Sequence, residues 1–274
     1  MKIPKFVTAL FLLACALTAR AQTNAGAIST NQATNGIAQA PVKVNPPTNG
    51  WKTSVSFGLS LARGNTDTTL ASATAFTEKK WLQNDLTFGG DGLYGENKAP
   101  GQSQEKENAE TLHGFSQFNR SFWGSSWDGF YAYGRVDGFH DGIADIRYRL
   151  SIGPGLGYFF VTNKTADFSA EIGPSYIKEQ LGGKSESFAT LRVMEIFHYR
   201  ISPHAKAWES VKLLPQVNQL DNYLVIGETG IEAGLTKDNK LSLRSVLQDS
   251  YSNIPANNRL RNDLKLITSL VYKF

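Results

Sequence analysis

Apolar and polar positions alternate with a period of two along most of this chain. The last stretch shows it most plainly. Counting back in twos from Phe274 collects Tyr272, Leu270, Thr268, Leu266 and Leu264, while the other parity collects Lys273, Val271, Ser269, Ile267 and Lys265. One face is largely apolar and ends in two aromatics; the other carries two lysines. That is the period of a strand, because successive side chains of a strand point to opposite faces. The same texture reaches back to Trp51, interrupted by turn residues such as 63–67 and 237–240. Segments at 51–62, 68–79, 85–96, 107–122, 127–139, 146–160, 166–178, 187–200, 206–217, 222–235, 241–251 and 264–274 therefore predict roughly twelve strands of about 10–14 residues. Tilted strands that cross a bilayer have about this length. The fold class expected is all-β: an up-and-down antiparallel transmembrane barrel.

The chain before Trp51 reads differently. Lys2 and Lys5 precede an apolar run from Phe6 to Leu17, and Ala19-Arg20-Ala21 has the small-x-small pattern of a cleavage site. Residues 1–21 are expected to be a signal peptide, since the apolar run is shorter than the roughly 20 residues a spanning helix needs. Leu12-Leu13-Ala14-Cys15 offers a lipoprotein box as the competing reading. Residues 22–50 are low in complexity, nearly uncharged and free of aromatics, so they predict a disordered leader. A plug inside the barrel is the competing reading of the leader. Residues 51–274 are expected to form one barrel domain.

Removing the signal would change the charge picture. The net charge of +4 includes Lys2, Lys5 and Arg20, and the single cysteine, Cys15, lies in the same segment. The basic character is thus largely a property of the precursor and does not argue for a nucleic-acid partner. Without Cys15 there is no disulfide, thiolate metal site or cysteine nucleophile.

Two further patterns point to a membrane. The even-numbered connections read as tight turns, at 81–84, 123–126, 162–165, 202–205 and 237–240, whereas odd ones include longer loops near Asn97, Gln180 and Ser252. That alternation, with an even strand count, matches a bacterial outer-membrane barrel with both termini periplasmic. The five tryptophans (Trp51, Trp81, Trp123, Trp127, Trp208) fall at the expected periplasmic strand ends, and Tyr94, Tyr148, Tyr176, Tyr223 and Tyr251 fall near the other ends. Amphipathic rings prefer the headgroup level, so two aromatic belts are expected. A soluble sandwich would instead place its tryptophans in a core.

The run from Gly58 to Leu70, the segment Arg149-Leu-Ser-Ile-Gly-Pro-Gly-Leu-Gly-Tyr158 and the ending Leu270-Val-Tyr-Lys-Phe274 resemble the YdiY-like family, labelled as salt-induced outer-membrane proteins (domain of unknown function 481). The resemblance runs from about Trp51 to the end. It implies an outer-membrane barrel and brings no catalytic residues. The aromatic-x-aromatic ending, Tyr272 and Phe274, also resembles the C-terminal assembly signal of such barrels, which implies the barrel-assembly machinery and outer-membrane lipid as partners.

Candidate chemistry is sparse. His113, His140, His198 and His204 show no metal-ligand spacing, and each reads as a surface residue near a strand end. Asp137 and Asp141 flank His140, with Asp145 close behind; an outer-membrane hydrolase could use such a cluster, but turn-forming aspartates in a solvated loop are the simpler account. Gly153-Pro-Gly-Leu-Gly157 is no phosphate loop, because no helix follows it; glycine within a strand allows bending or close packing. Glu195 interrupts the apolar parity of its strand, which suggests a bulge. No catalytic residue, metal or cofactor is expected.

Charges on the parity opposite the apolar face are the better candidates: Arg135, Asp137, Arg147, Arg149, Glu171, Arg192, Glu228, Glu232, Arg244 and Lys265. A lipid-facing Arg or Lys at mid-membrane costs about 2–4 kcal/mol, so these should line the lumen. They suit a small pore for ions or small solutes or, equally, a structural barrel braced by paired charges. The functional expectation is a non-enzymatic outer-membrane barrel of a Gram-negative cell; the resemblance to the salt-induced family alone implies service in the osmotic response of the envelope. A rim-site hydrolase and a soluble periplasmic ligand-binding protein are the alternatives.

Overall fold

A computed structural model describes residues 50–62, 67–98, 106–122, 124, 126, 128–254 and 261–274. The expected signal peptide and all of the leader except Gly50 lie outside the described residues. Twelve strands follow in order: β1 (Trp51–Ala62), β2 (Asp67–Trp81), β3 (Asn84–Lys98), β4 (Lys106–Ser121), β5 (Phe130–Asp141), β6 (Ile146–Thr162), β7 (Ala166–Leu181), β8 (Lys184–Ser202), β9 (Ala205–Gln216), β10 (Gln219–Gly234), β11 (Leu241–Ser252) and β12 (Asn262–Lys273). Each pairs antiparallel with its chain neighbours, and β1 pairs with β12 to close the barrel. The expected strand count and up-and-down order hold, with boundaries moved by three residues or fewer. No helix occurs among the described residues.

Closure makes β1 and β12 neighbours, so the barrel has an end carrying Trp51 and Phe274, called here the terminal end, and an opposite far end. The β1–β12 seam is short. It holds four registered pairs, from Ser54↔Lys273 to Phe57↔Leu270, against eleven between β11 and β12. The amide of Phe274 extends the seam by donating to the Thr53 carbonyl (2.9 Å).

The period-two pattern sorts into outside and inside. On β12, Leu264, Leu266, Leu270 and Tyr272 are exposed, whereas Lys265, Ser269 and Val271 are buried. Phe57, Leu112, Leu150, Ile152, Leu156, Ile172 and Ile231 add to the exposed apolar surface on other strands. Such a surface is far more apolar than a water-soluble exterior normally carries, and the interior is the polar side.

Connection lengths do not alternate as the sequence suggested. The expected long loop near Gln180 is a turn of Gly182 and Gly183, because β7 and β8 run on into it. Both glycines have positive φ (56° and 78°), the requirement of a two-residue hairpin turn whose twist matches its strands. At the terminal end, β4 stops at Ser121 and β5 begins at Phe130, so the segment expected to be a tight turn at 123–126 is the longer one. The 237–240 turn spans all residues between Gly234 and Leu241, with Asn239 at positive φ (57°).

The aromatic belts hold in part. Trp51 and Trp81 sit at the terminal ends of β1 and β2, with rings 6.3 Å from Phe88 and 6.2 Å from Phe118 respectively. Trp123 and Trp127 lie outside the described residues. Trp208 departs from the expectation: it is buried inside the barrel, since its parity on β9 faces inward. Glu195 departs too. The β7–β8 ladder runs without interruption through it, so no bulge intervenes and Glu195 keeps the outer parity of Val193 and Phe197.

Candidate functional site: the charged lumen

Four inward glycines shape the interior. Gly89 is register-paired with Phe115, Gly155 with Tyr133 and Gly157 with Tyr131, and Gly230 with Trp208. At each, a Cβ would meet the partner ring closer than 3.0 Å. A glycine therefore makes room for an aromatic lying across its strand, which re-covers the backbone the glycine leaves bare. The Gly153–Gly157 run is thus a packing device, as its place within a strand suggested.

Over β6, this device lets β5 reach β7. Tyr131 is paired with Gly157, and Gly157 with Glu171. The Tyr131 hydroxyl crosses the glycine and donates to Glu171 Oε1 (2.9 Å). Arg192 of β8 donates to the other oxygen (Nη1 to Oε2, 2.6 Å). Gln117 of β4 donates to Glu171 Oε1 (3.2 Å) and accepts from Arg135 Nη1 (3.0 Å). Arg135 grips Asp137 through Nε (2.9 Å) and Nη2 (2.6 Å). Asp137 Oδ1 lies 3.5 Å from His113 Nε2, whose Nδ1 is 3.0 Å from Asp91. The result is a continuous mid-barrel brace through β3, β4, β5, β7 and β8. Guanidinium groups also lie over rings, Arg135 over Phe115 (4.2 Å) and Arg192 over Tyr133 (5.2 Å). Beneath the brace, Tyr131, Tyr133, Phe159, Met194 and Ile196 form a buried apolar cluster on the β5–β8 side.

A second ionic group lies at the terminal end on the opposite wall. Glu232 meets Arg244 (Nη2 at 2.7 Å), Lys206 (3.7 Å) and Lys273. The Trp208 ring lies between Lys206 and Arg244, 5.9 and 5.8 Å from its centroid, and its Nε1 donates to Glu228 (2.8 Å). Smaller pairs complete the interior: Lys80 with Glu78 (3.0 Å) and Arg149 with Glu179.

Nine of the ten charges singled out in the sequence sit on inward parity. Arg135, Glu171, Arg192, Glu228, Glu232 and Lys265 are buried, and Asp137, Arg149 and Arg244 are largely covered. Arg147 is the correction. Ile146 pairs with Leu181 and Tyr148 with Gln180, so Arg147 is the extra residue of a bulge. Ile146 turns inward and is buried, while Arg147 is exposed. Tyr272 and Phe274 stand on the outer face at the terminal end, edge to face at 5.0 Å.

The cluster weighed as a rim acid/base site does not assemble. Asp137 points inward to Arg135, Asp141 Oδ1 caps the amide of Ala144 (2.7 Å), and His140 Nδ1 meets the Arg147 carbonyl (3.0 Å). His113, expected at the surface, is instead buried between two carboxylates. Sequence reasoning also missed Asp91, Gln117, Tyr131, Tyr133 and Lys212. The available signal was parity: His113, Phe115, Gln117 and Asn119 alternate on β4 with the exposed Leu112 and Phe118. No group of residues suited to a metal ion occurs among the described residues.

Two cavities flank the brace. The far one, about 300 Å³, is lined by Asp137, Arg149, Glu179, Glu186, Arg192 and Lys212 together with apolar residues such as Phe139, Ile177, Phe188 and Leu214. The terminal one, about 340 Å³, is lined by Lys52, Glu78, Lys206, Arg244 and Lys273 with Phe76, Phe115 and Phe274. The two share no lining residue.

A closed antiparallel barrel with an ionic interior and an apolar exterior belongs to the class of membrane β-barrels. The chain itself belongs to the family DUF481, described as proteins of unknown function, whose model matches residues 55–274. No curated protein matches it in sequence. Similar solved structures include the COG4313 outer membrane channel from Pseudomonas putida (9% identity, 89% of this chain and 100% of that one, TM-score 0.49). The NanC porin is another (9% identity, 81% and 98%, TM-score 0.47). So is the outer membrane channel DcaP of Acinetobacter baumannii (9% identity, 82% and 96%, TM-score 0.40).

Proposed function

We propose that this protein is a non-enzymatic outer-membrane barrel whose lumen is a narrow, charge-lined path for ions and small solutes. Both chain termini lie on the periplasmic side in this reading, and outer-membrane lipid and the barrel-assembly machinery are its partners. One observation carries the proposal. The interior is divided by cross-braced side chains, not filled by a continuous apolar core, and a cavity of several hundred cubic ångströms lies on each side. A barrel of this strand number falls between filled eight-stranded barrels and open porins, where wall side chains set the aperture. Service in the osmotic response of the envelope follows from the family resemblance.

The test is conductance of the purified protein across a planar bilayer. Discrete current steps are expected, and they should grow when Tyr131→Ala removes part of the mid-barrel brace. Heat-modifiable migration on a gel verifies that each sample is a folded barrel. A folded barrel that stays silent, both unaltered and with Tyr131→Ala, would leave the brace as a purely structural element.

A further inference from the structure

We infer that the terminal cavity is an anion-binding site, and that the ligand it takes is a small organic carboxylate. This rests on the proposed reading only in that the lumen must be reached from the terminal end. The two cavities differ in charge. The far one has three cations (Arg149, Arg192, Lys212) and three carboxylates (Asp137, Glu179, Glu186) on its wall. At the terminal one, Lys206, Arg244 and Lys273 converge on the single carboxylate of Glu232, and Lys52 adds a fourth cation. Glu78, the carboxylate on that wall, is already engaged by Lys80 (3.0 Å).

Three cations sharing one carboxylate leave a surplus of two positive charges facing a cavity. Its guanidinium is fixed in place. Arg244 is held by two hydrogen bonds to Glu232 (3.0 and 2.7 Å), and the Trp208 ring backs both Arg244 and Lys206. Low-dielectric walls strengthen the attraction of such a group for an anion. Lys206 and Lys273 keep part of their side chains exposed, at 41% and 35%, so both ammonium groups can turn to a ligand while Glu232 holds the guanidinium. Across from them, the β2–β4 side is aromatic: Phe76 and Phe115 line the same space. A carboxylate on the lysines with a small apolar body against these rings would satisfy both walls, and a volume of about 340 Å³ accommodates it.

Two readings of the protein purified in detergent and in bilayers test this. Isothermal titration with sodium benzoate at low ionic strength should give saturable binding that falls about tenfold when Lys206→Gln and Lys273→Gln are combined. Lys237→Gln, in the exposed β10–β11 turn, should leave binding unchanged. Inorganic phosphate should bind more weakly than benzoate, and equal binding would remove the apolar half of the proposal. In a bilayer under a potassium chloride gradient, the reversal potential of the unaltered protein should show anion preference. Cation preference, or no saturable benzoate binding to a barrel that migrates as folded, overturns the inference. Benzoate binding without conductance would instead uphold the site and sink the pore.

Discussion

Tyr131 and Glu171 are hydrogen-bonded at 2.9 Å although a whole strand lies between them. Gly157, directly between the two in register, has no side chain to block the reach. The same relation of an inward ring to a glycine on the next strand recurs at Phe115, Tyr133 and Trp208. In a barrel too wide to fill with one layer of side chains, long residues must lie across the wall to brace it, and glycine is what lets them lie down.

That relation predicts the outcome of filling the glycine. Gly157→Leu should destabilise the barrel by about 1–3 kcal/mol, the usual cost of forcing extra methylenes into a packed site. Gly134→Ala on β5, where a new Cβ meets nothing within 4 Å, should change stability by no more than about 0.5 kcal/mol. Urea unfolding in detergent micelles, followed by tryptophan fluorescence, compares the two.

The Glu171–Arg192 pair is buried on both sides, with side chains 0% and 8% exposed. Arg192→Ala would strand a buried carboxylate, at a cost of about 3–5 kcal/mol. Combining Arg192→Met with Glu171→Gln removes both charges and should recover most of that loss. The same unfolding experiment checks it, and a double variant no more stable than Arg192→Ala would contradict the account.

The exposed apolar exterior predicts a depth-dependent penalty. Leu156 stands near the middle of β6 and is 52% exposed. In a lipid bilayer, Leu156→Arg should cost about 2–4 kcal/mol, whereas on a water-exposed strand it would be close to neutral. Folding into vesicles measures the difference, and a neutral result would remove the membrane reading altogether.

Outside the spanning region, the β10–β11 turn predicts a titration. The Thr236 hydroxyl donates to Asp238 Oδ1 (2.6 Å), as does the Lys240 amide (3.1 Å). These bonds, the Thr236 hydroxyl foremost, hold the Asp238 carboxyl below its ordinary value. A carboxyl depressed by folding stabilises the turn above the unfolded-state pKa, about 3.9, and loses that contribution as pH falls through the lower folded value. Thr236→Val should move the Asp238 midpoint up toward about 3.9, read by NMR titration of the side-chain carbon.

The candidate site was legible in unequal parts. Arg135, Glu171, Arg192, Glu228 and Glu232 were readable as inward because parity along one strand is enough to tell two faces apart. Arg147 was misread because one bulge residue reverses parity beyond it, and the bulge arises from pairing with β7, a strand more than thirty residues away in β6–β7 register at its far end. His113 was read as a surface residue because the carboxylates that enclose it, Asp91 and Asp137, come from two other strands. The rim cluster weighed as an alternative does not assemble, because Asp137 and His140 are close in the chain but lie on opposite parities of β5.

By itself, the sequence determined that this chain makes strands, how many there are, and which face of most of them is apolar. Those are consequences of a two-residue period, a property each segment carries alone. Only the tertiary structure decided that the barrel closes through a seam of four β1–β12 pairs, that Trp208 turns inward, and that Tyr131 meets Glu171 over Gly157. Those depend on register between strands, which is set when every strand pairs with two neighbours at once and the first must meet the last.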